Sequence, residues 1–136
     1  MPGGQAQKEF FVNQALAILD TLHARTVIAS QPASPPASDD GECFRVTAPA
    51  TGAWEGCEGH LAIQIGGDWH FGVPREGMQV FDIEADTSLF FKVGWQAAIR
   101  PANPANGTTI DTEARAAIEQ LINVLHDFGI LPPSSA

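Results

Sequence analysis

Between residues 42 and 100 the chain breaks into short apolar-rich runs, ECFRVT, HLAIQI, WHFGV, MQVFDI, SLFFKV and WQAAI, parted by glycine and aspartate. Runs this short do not complete a stable helix, and their β-branched and aromatic side chains suit a pleated surface. Leu61, Ile63 and Ile65 alternate onto one face, as do Leu89, Phe91 and Val93. The Gly66-Gly67 pair in IGGDW supplies the positive φ angles of a tight hairpin, and IEADTS fits a slightly longer one. The region therefore predicts an antiparallel β-meander over 42–100, with about five to six short strands.

On either side the period changes. Phe11, Ala15, Ile18 and Leu22 recur at steps of four and three, joined by Val12, Leu16 and Leu19. This stripe predicts an amphipathic helix over 5–23, with Lys8, Glu9, Asn13, Gln14, Asp20 and Thr21 mainly outside it. Asn13 and Gln14 cut the apolar run into FFV and ALAIL, and Glu9 offsets Lys8. The charged start and unbroken apolar stretch of a signal peptide are thus missing, and the segment is expected to be a retained helix of a protein made in the cytoplasm. Residues 30–41, SQPASPPASDDG, hold three prolines and two consecutive aspartates. They predict a linker or surface loop.

A second helix is predicted over 111–128. Asp111 or Thr109 can cap its first amides, Glu113 suits the positive end of its dipole, and Gly129 followed by Pro132 is a stop signal. Ala114, Ile118, Leu121, Leu125 and Phe128 form a two-heptad stripe, widened by Ile122 and Val124. It can pack on the chain's own sheet or pair with another copy, and the sequence leaves both open. The expected fold class is α+β in a single domain, 1–136, with an amphipathic helix at each end of the meander.

Charge narrows the partners. The formal net charge is −9, and between Asp39 and Asp86 ten acidic residues face only Arg45 and Arg75. Such a field opposes phosphate backbones and anionic lipid, so nucleic acid is excluded as an expected partner. No run approaches the ~20 apolar residues of a membrane span, so no membrane insertion is expected.

Residues that carry chemistry do not converge in sequence. His23, His60, His70 and His126 show no metal-ligand spacing, although His60 and His70 fall on adjacent predicted strands near Asp68. Asp82, Glu84 and Asp86 alternate like the start of a calcium loop, but Thr87 stands where glycine is required and Val93 where the closing glutamate belongs. They read instead as a solvated acidic hairpin edge. Cys43 and Cys57, with 13 residues between them, read as two reduced, part-buried thiols. With no nucleophile motif and no phosphate loop, no catalytic residue, metal ligand or cofactor is expected, and the chain is read as a non-enzyme. Trp54, Trp69 and Trp95 each adjoin a glycine turn; they either plug the ends of a thin sheet or stack on sugars.

The motifs GGQAQKE, VNQALAILD, DGECF, ATGAWEGCEGHLA, GGDWHF and VPREGMQVFD, in this order from Gly3 to about Trp95, resemble a family of phage and prophage proteins. The family is shared with alphaproteobacterial gene transfer agents, catalogued as a domain of unknown function and associated with tail fibres. The resemblance implies a structural role in the virion, as a tail fibre, fibre base or tail-tip adaptor, and carries over no catalytic residue. Many family members continue into a long distal region, whereas this sequence ends with one short helix, which favours the adaptor or fibre-base reading.

The expected assembly contacts are Phe11, Ala15, Ile18, Leu22, Ile118, Leu121, Leu125 and Phe128. They would join copies of the chain, a homotrimer being favoured, and other tail or baseplate proteins. The competing reading is a carbohydrate-binding module that uses Trp54, Trp69 or Trp95 on a host-surface glycan. A small cell-wall hydrolase ranks third, without a residue set.

Overall fold

The computed structural model describes residues 3–105, 107–109 and 111–134, with the side chains of residues 3, 21, 22 and 24 outside that description. Helix α1 spans Gly3–Ala24. The strands are β1 (Thr26–Val27), β2 (Ser30–Gln31), β3 (Cys43–Val46), β4 (Leu61–Ile65), β5 (Asp68–Gly72), β6 (Gln79–Asp82), β7 (Thr87–Lys92) and β8 (Gly94–Ala97), with a 3-10 turn at Gly52–Trp54 before β4. Helix α2, Thr112–Asp127, closes the order. The fold is α+β with a helix at each end.

The strands do not form one meander. They divide into two four-stranded sheets, ordered β1-β6-β7-β8 and β2-β3-β4-β5. Three hairpin pairings match the sequence reading: β4 with β5, β6 with β7 and β7 with β8 are all antiparallel. The division falls between β5 and β6, which belong to different sheets, and β1 and β2 add to the two sheets in parallel with β6 and β3 respectively. Each is only two residues long, so neither leaves a periodicity in the sequence, and β2 takes the first two positions of the predicted 30–41 loop. Their partners are distant in sequence, so only the tertiary fold makes them strands.

Residues 25–31 form one continuous segment bonded to both sheets. Its first half takes bonds from β6, with Phe81 N donating to Arg25 O at 2.7 Å and Ile83 N to Val27 O at 3.0 Å. Its second half joins β3, with Ile28 N donating to Cys43 O at 2.8 Å and Arg45 N to Ala29 O at 3.0 Å. The core follows this division. Val27, Val80 and Leu89 of the first sheet pack against Cys43, Leu61 and Ile63 of the second. On the other face of the second sheet, Ala29, Phe44, Val46 and Ala62 bury Trp54. Strand β4 is covered on both faces, which accounts for its nearly continuous apolar run.

Local turn chemistry behaves as the residues require. Gly66 and Gly67 take φ of 60° and 89° in the two-residue β4–β5 turn. Val93, read as an inward strand position beside Leu89 and Phe91, instead sits at φ 63° in the turn between Lys92 and Gly94 and is exposed. The β7 strand ends one residue too early to hold it.

Asp111 caps α2, its Oδ1 accepting from Ala114 N at 2.9 Å. At the other end Gly129 adopts φ 66°, and Ser88 N donates to its carbonyl at 2.6 Å. A Cβ on Gly129 would meet Phe81 Cε2 at 2.5 Å. Gly129→Ala therefore suffers both left-handed strain and a ring clash, and should lower stability by about 2–3 kcal/mol in urea unfolding. A loss below ~0.5 kcal/mol would show that Phe81 yields freely.

Candidate functional site

The most constrained polar group is Asp82, the last residue of β6. It was read as part of a solvated acidic edge, yet it is only 1% exposed. Val80 and Asp82 share the inward face of β6, so the carboxylate enters the space between the sheets. Its Oδ2 accepts a short hydrogen bond from Ser30 Oγ. That hydroxyl in turn accepts from Arg45 Nε at 2.7 Å, and Asp82 Oδ1 accepts from Ala85 N at 3.0 Å. Burial pulls the Arg45 guanidinium below its ordinary pKa, and the Asp82 charge pulls it back up; arginine nonetheless stays charged. Glu84 and Asp86 lie in the exposed turn beyond. The three acids do not share a face because residues 83–86 leave the strand.

In this relay both Asp82 oxygens and the Ser30 hydroxyl are thus engaged within the fold. Removing the carboxylate strands a half-buried guanidinium. Asp82→Ala should cost about 3 kcal/mol and Ser30→Ala about 1 kcal/mol in urea unfolding. Equal and negligible losses would mean the relay carries no weight.

The three tryptophans divide. Trp54 is 0% exposed and offers no ring face to a sugar, a correction to its place among the stacking candidates. It is enclosed by Phe44 and by Trp69, whose ring stands edge-on at 5.0 Å. Trp69 is half-buried in the same cluster. Trp95, also half-buried, packs edge-on with Phe91 at 5.2 Å and donates from Nε1 to Gly59 O at 2.7 Å. It ties β8 to the loop before β4. Trp54 thus packs on a sheet face, while Trp69 and Trp95 keep part of their surface in solvent.

His60 and His70 do not converge. His70 pairs with Ile63, while His60 precedes β4. Gln14 of α1 places its Nε2 3.0 Å from His70 Nδ1. No group of three or more histidine, cysteine or acidic side chains able to hold a metal occurs among the described residues. No described helix is long and apolar enough to cross a membrane.

The predicted assembly residues are mostly at the surface. On α1, Phe11 (62%) and Ala15 are exposed and Ile18 is half-buried, while the Leu22 side chain lies outside the described residues. Gln14, Ala17 and Ile18 face the body, and Phe10, Val12, Leu16 and Leu19 join Phe11 in solvent. On α2, Ile118, Leu121 (59%) and Phe128 (77%) are exposed, Leu125 is half-buried, and Ile122, outside the predicted seam, is the buried residue.

Two cavities meet at Thr26 and Cys43. One, of about 460 Å³ under α1, is lined by Asp20, Asp40 and Glu42. Asp40 and Glu42 are engaged there, accepting from Gly66 N and Asp39 N at 2.9 Å each. The other, of about 420 Å³, is lined by Arg25 and Arg75. Sequence reasoning passed over these arginines because they are 50 residues apart and belong to no motif.

Cys43 and Cys57 are free, as expected. Burial pushes the Cys43 thiol from 9.0 to about 12, against a smaller opposing effect of a backbone hydrogen bond at Phe44. A raised pKa favours the protonated native thiol. This stabilisation is complete below about pH 9 and is lost as pH rises towards 12. At pH 8 a disulfide-forming thiol reagent should react rapidly with Cys57 alone, Cys57→Ser should abolish the fast phase, and denaturant should release Cys43. Two equally fast thiols in the native chain would contradict the burial of Cys43.

No curated protein matches the chain. A family described as a protein of unknown function (DUF2793) matches residues 12–96. That span takes in most of α1 and both sheets and ends within β8, leaving α2 outside it. The chain thus belongs to the DUF2793 family.

Proposed function

We propose that the chain is a non-enzymatic structural component of a phage or gene-transfer-agent tail, a tail fibre, fibre base or tail-tip adaptor, that acts by assembly. The observation that carries this reading is the outer face of α2, where Ile118, Leu121, Val124 and Phe128 are all exposed. Covering apolar surface is favourable by roughly 25 cal/mol per Å², and clustered exposure of this kind marks interaction surfaces. Phe10, Phe11, Leu16 and Leu19 of α1 add a second such face. The ordered motifs from GGQAQKE to VPREGMQVFD supply the virion setting, through their resemblance to tail-fibre-associated proteins. The occupant of the α2 face is a second and third copy of the chain, with other tail or baseplate proteins on α1.

Light scattering tests the assembly. The unaltered chain should have the mass of a homotrimer, and Leu121→Asp should reduce it to a monomer without loss of helical signal, because Leu121 is exposed and its replacement disturbs no core. A monomer before substitution would reject self-association. Mass spectrometry of purified particles tests the setting, and absence of the chain from them would reject the tail role while leaving any oligomer intact.

A further inference from the structure

We infer that the cavity between Arg25 and Arg75 binds a small organic oxyanion, a carboxylate or phosphate carried on an apolar body. Its volume of about 420 Å³ falls within the usual range of small-molecule sites. The chain has 16 acidic residues, yet no carboxylate lines this cavity. The acid-lined cavity lies on the other side of Thr26 and Cys43, so charge is segregated across one wall.

The arginines are available. Arg45 is bonded to Ser30, Arg100 to Asn123 Oδ1 at 3.3 Å and Arg115 to the Pro104 carbonyl at 3.4 Å. The guanidinium groups of Arg25 and Arg75 have no hydrogen-bond or ion-pair partner among the described residues. A guanidinium presents a planar fork matched to carboxylate and phosphate oxygens, and two forks on one cavity can hold one anion from two sides.

Their backbones are held in place. Arg25 is fixed at φ 51° with its carbonyl bonded to Phe81 N at 2.7 Å, a strained conformation of the kind that concentrates at functional sites. The Arg75 carbonyl accepts from Met78 N at 3.0 Å, and Gly77 N donates to Phe91 O at 2.9 Å, pinning this turn to β7. Leu61, Met78 and Val80 supply the apolar wall for the body of the ligand, and Gln79 adds an amide. This inference is independent of the assembly reading.

Nitrogen-15 NMR of the full chain, including arginine Nε resonances, tests it with 1-naphthoate, 1-naphthyl phosphate and neutral 1-naphthol. One or both anions should shift Arg25, Arg75 and the Gly77 and Gln79 amides saturably, with a Kd of about 1 mM or tighter, and naphthol should not. The anion that binds identifies the source of the oxyanion. Arg75→Gln, on an exposed turn, should weaken binding at least tenfold while leaving β4 and β5 amide shifts unchanged, and Arg25→Gln should act alike. No saturable shift, equal shifts with naphthol, or undiminished binding in Arg75→Gln would overturn the proposal.

Discussion

The segment 25–31 is the constraint on which the two sheets depend. A strand can bond along two edges, and this segment gives one stretch to β6 and the next to β3. Neither pairing is long enough to hold a sheet by itself. What fixes the crossing is the side-chain relay beside it, in which Ser30 of the segment stands between Arg45 of one sheet and Asp82 of the other. The hydroxyl donates to the carboxylate and accepts from the guanidinium, so the two charges interact through a neutral intermediary. A buried charge without a partner is costly, and a register shift of β2 would expose both ions to that cost. The relay thereby helps specify how the sheets meet, while the apolar contacts of Val27, Val80 and Leu89 with Cys43, Leu61 and Ile63 supply most of the cohesion.

Much of the fold was legible because its signals are local. Two glycines at a turn, an aspartate cap and a glycine stop act within a few residues, and the structure places Gly66-Gly67, Asp111 and Gly129 accordingly. The parallel pairings were not legible, since two-residue strands have no period and their partners lie 55 residues away for β1 (Thr26 with Phe81) and 15 for β2 (Ser30 with Arg45). Asp82 was hidden for a different reason. Composition assigns acids to the surface, but alternation with Val80 places this one inside, and the pattern within MQVFDI outweighs the residue type. The same rule failed for Val93, because alternation holds only while the strand lasts.

The candidate surfaces were partly legible. Periodicity located the helices and their apolar stripes, but a stripe does not say which flank meets the body. On α2 the buried residue is Ile122, one position from the seam residue Leu121, so the helix is turned and the seam faces outward. On α1 the Gln14 contact to His70 does the same with a polar residue, leaving Phe10 and Phe11 in solvent. The arginine cavity had no sequence signature, being assembled from a helix exit and a distant turn.

The attachment of α2 gives its exposed face mechanical meaning. The helix is secured at its C-terminal end, where Gly129 lies on Phe81 and its carbonyl takes the amide of Ser88 in β7, one position beyond that strand's pairing with β8. Near the N-terminal end Arg115 reaches the Pro104 carbonyl at 3.4 Å, and in the C-terminal half Asn123 meets Arg100 at 3.3 Å. Ile122 is buried against the body in mid-helix, so α2 is anchored along one flank and apolar along the other. Because α2 lies outside the family-matched span, and its exposed residues belong to neither the relay nor the core between the sheets, this face can vary in sequence without disturbing either.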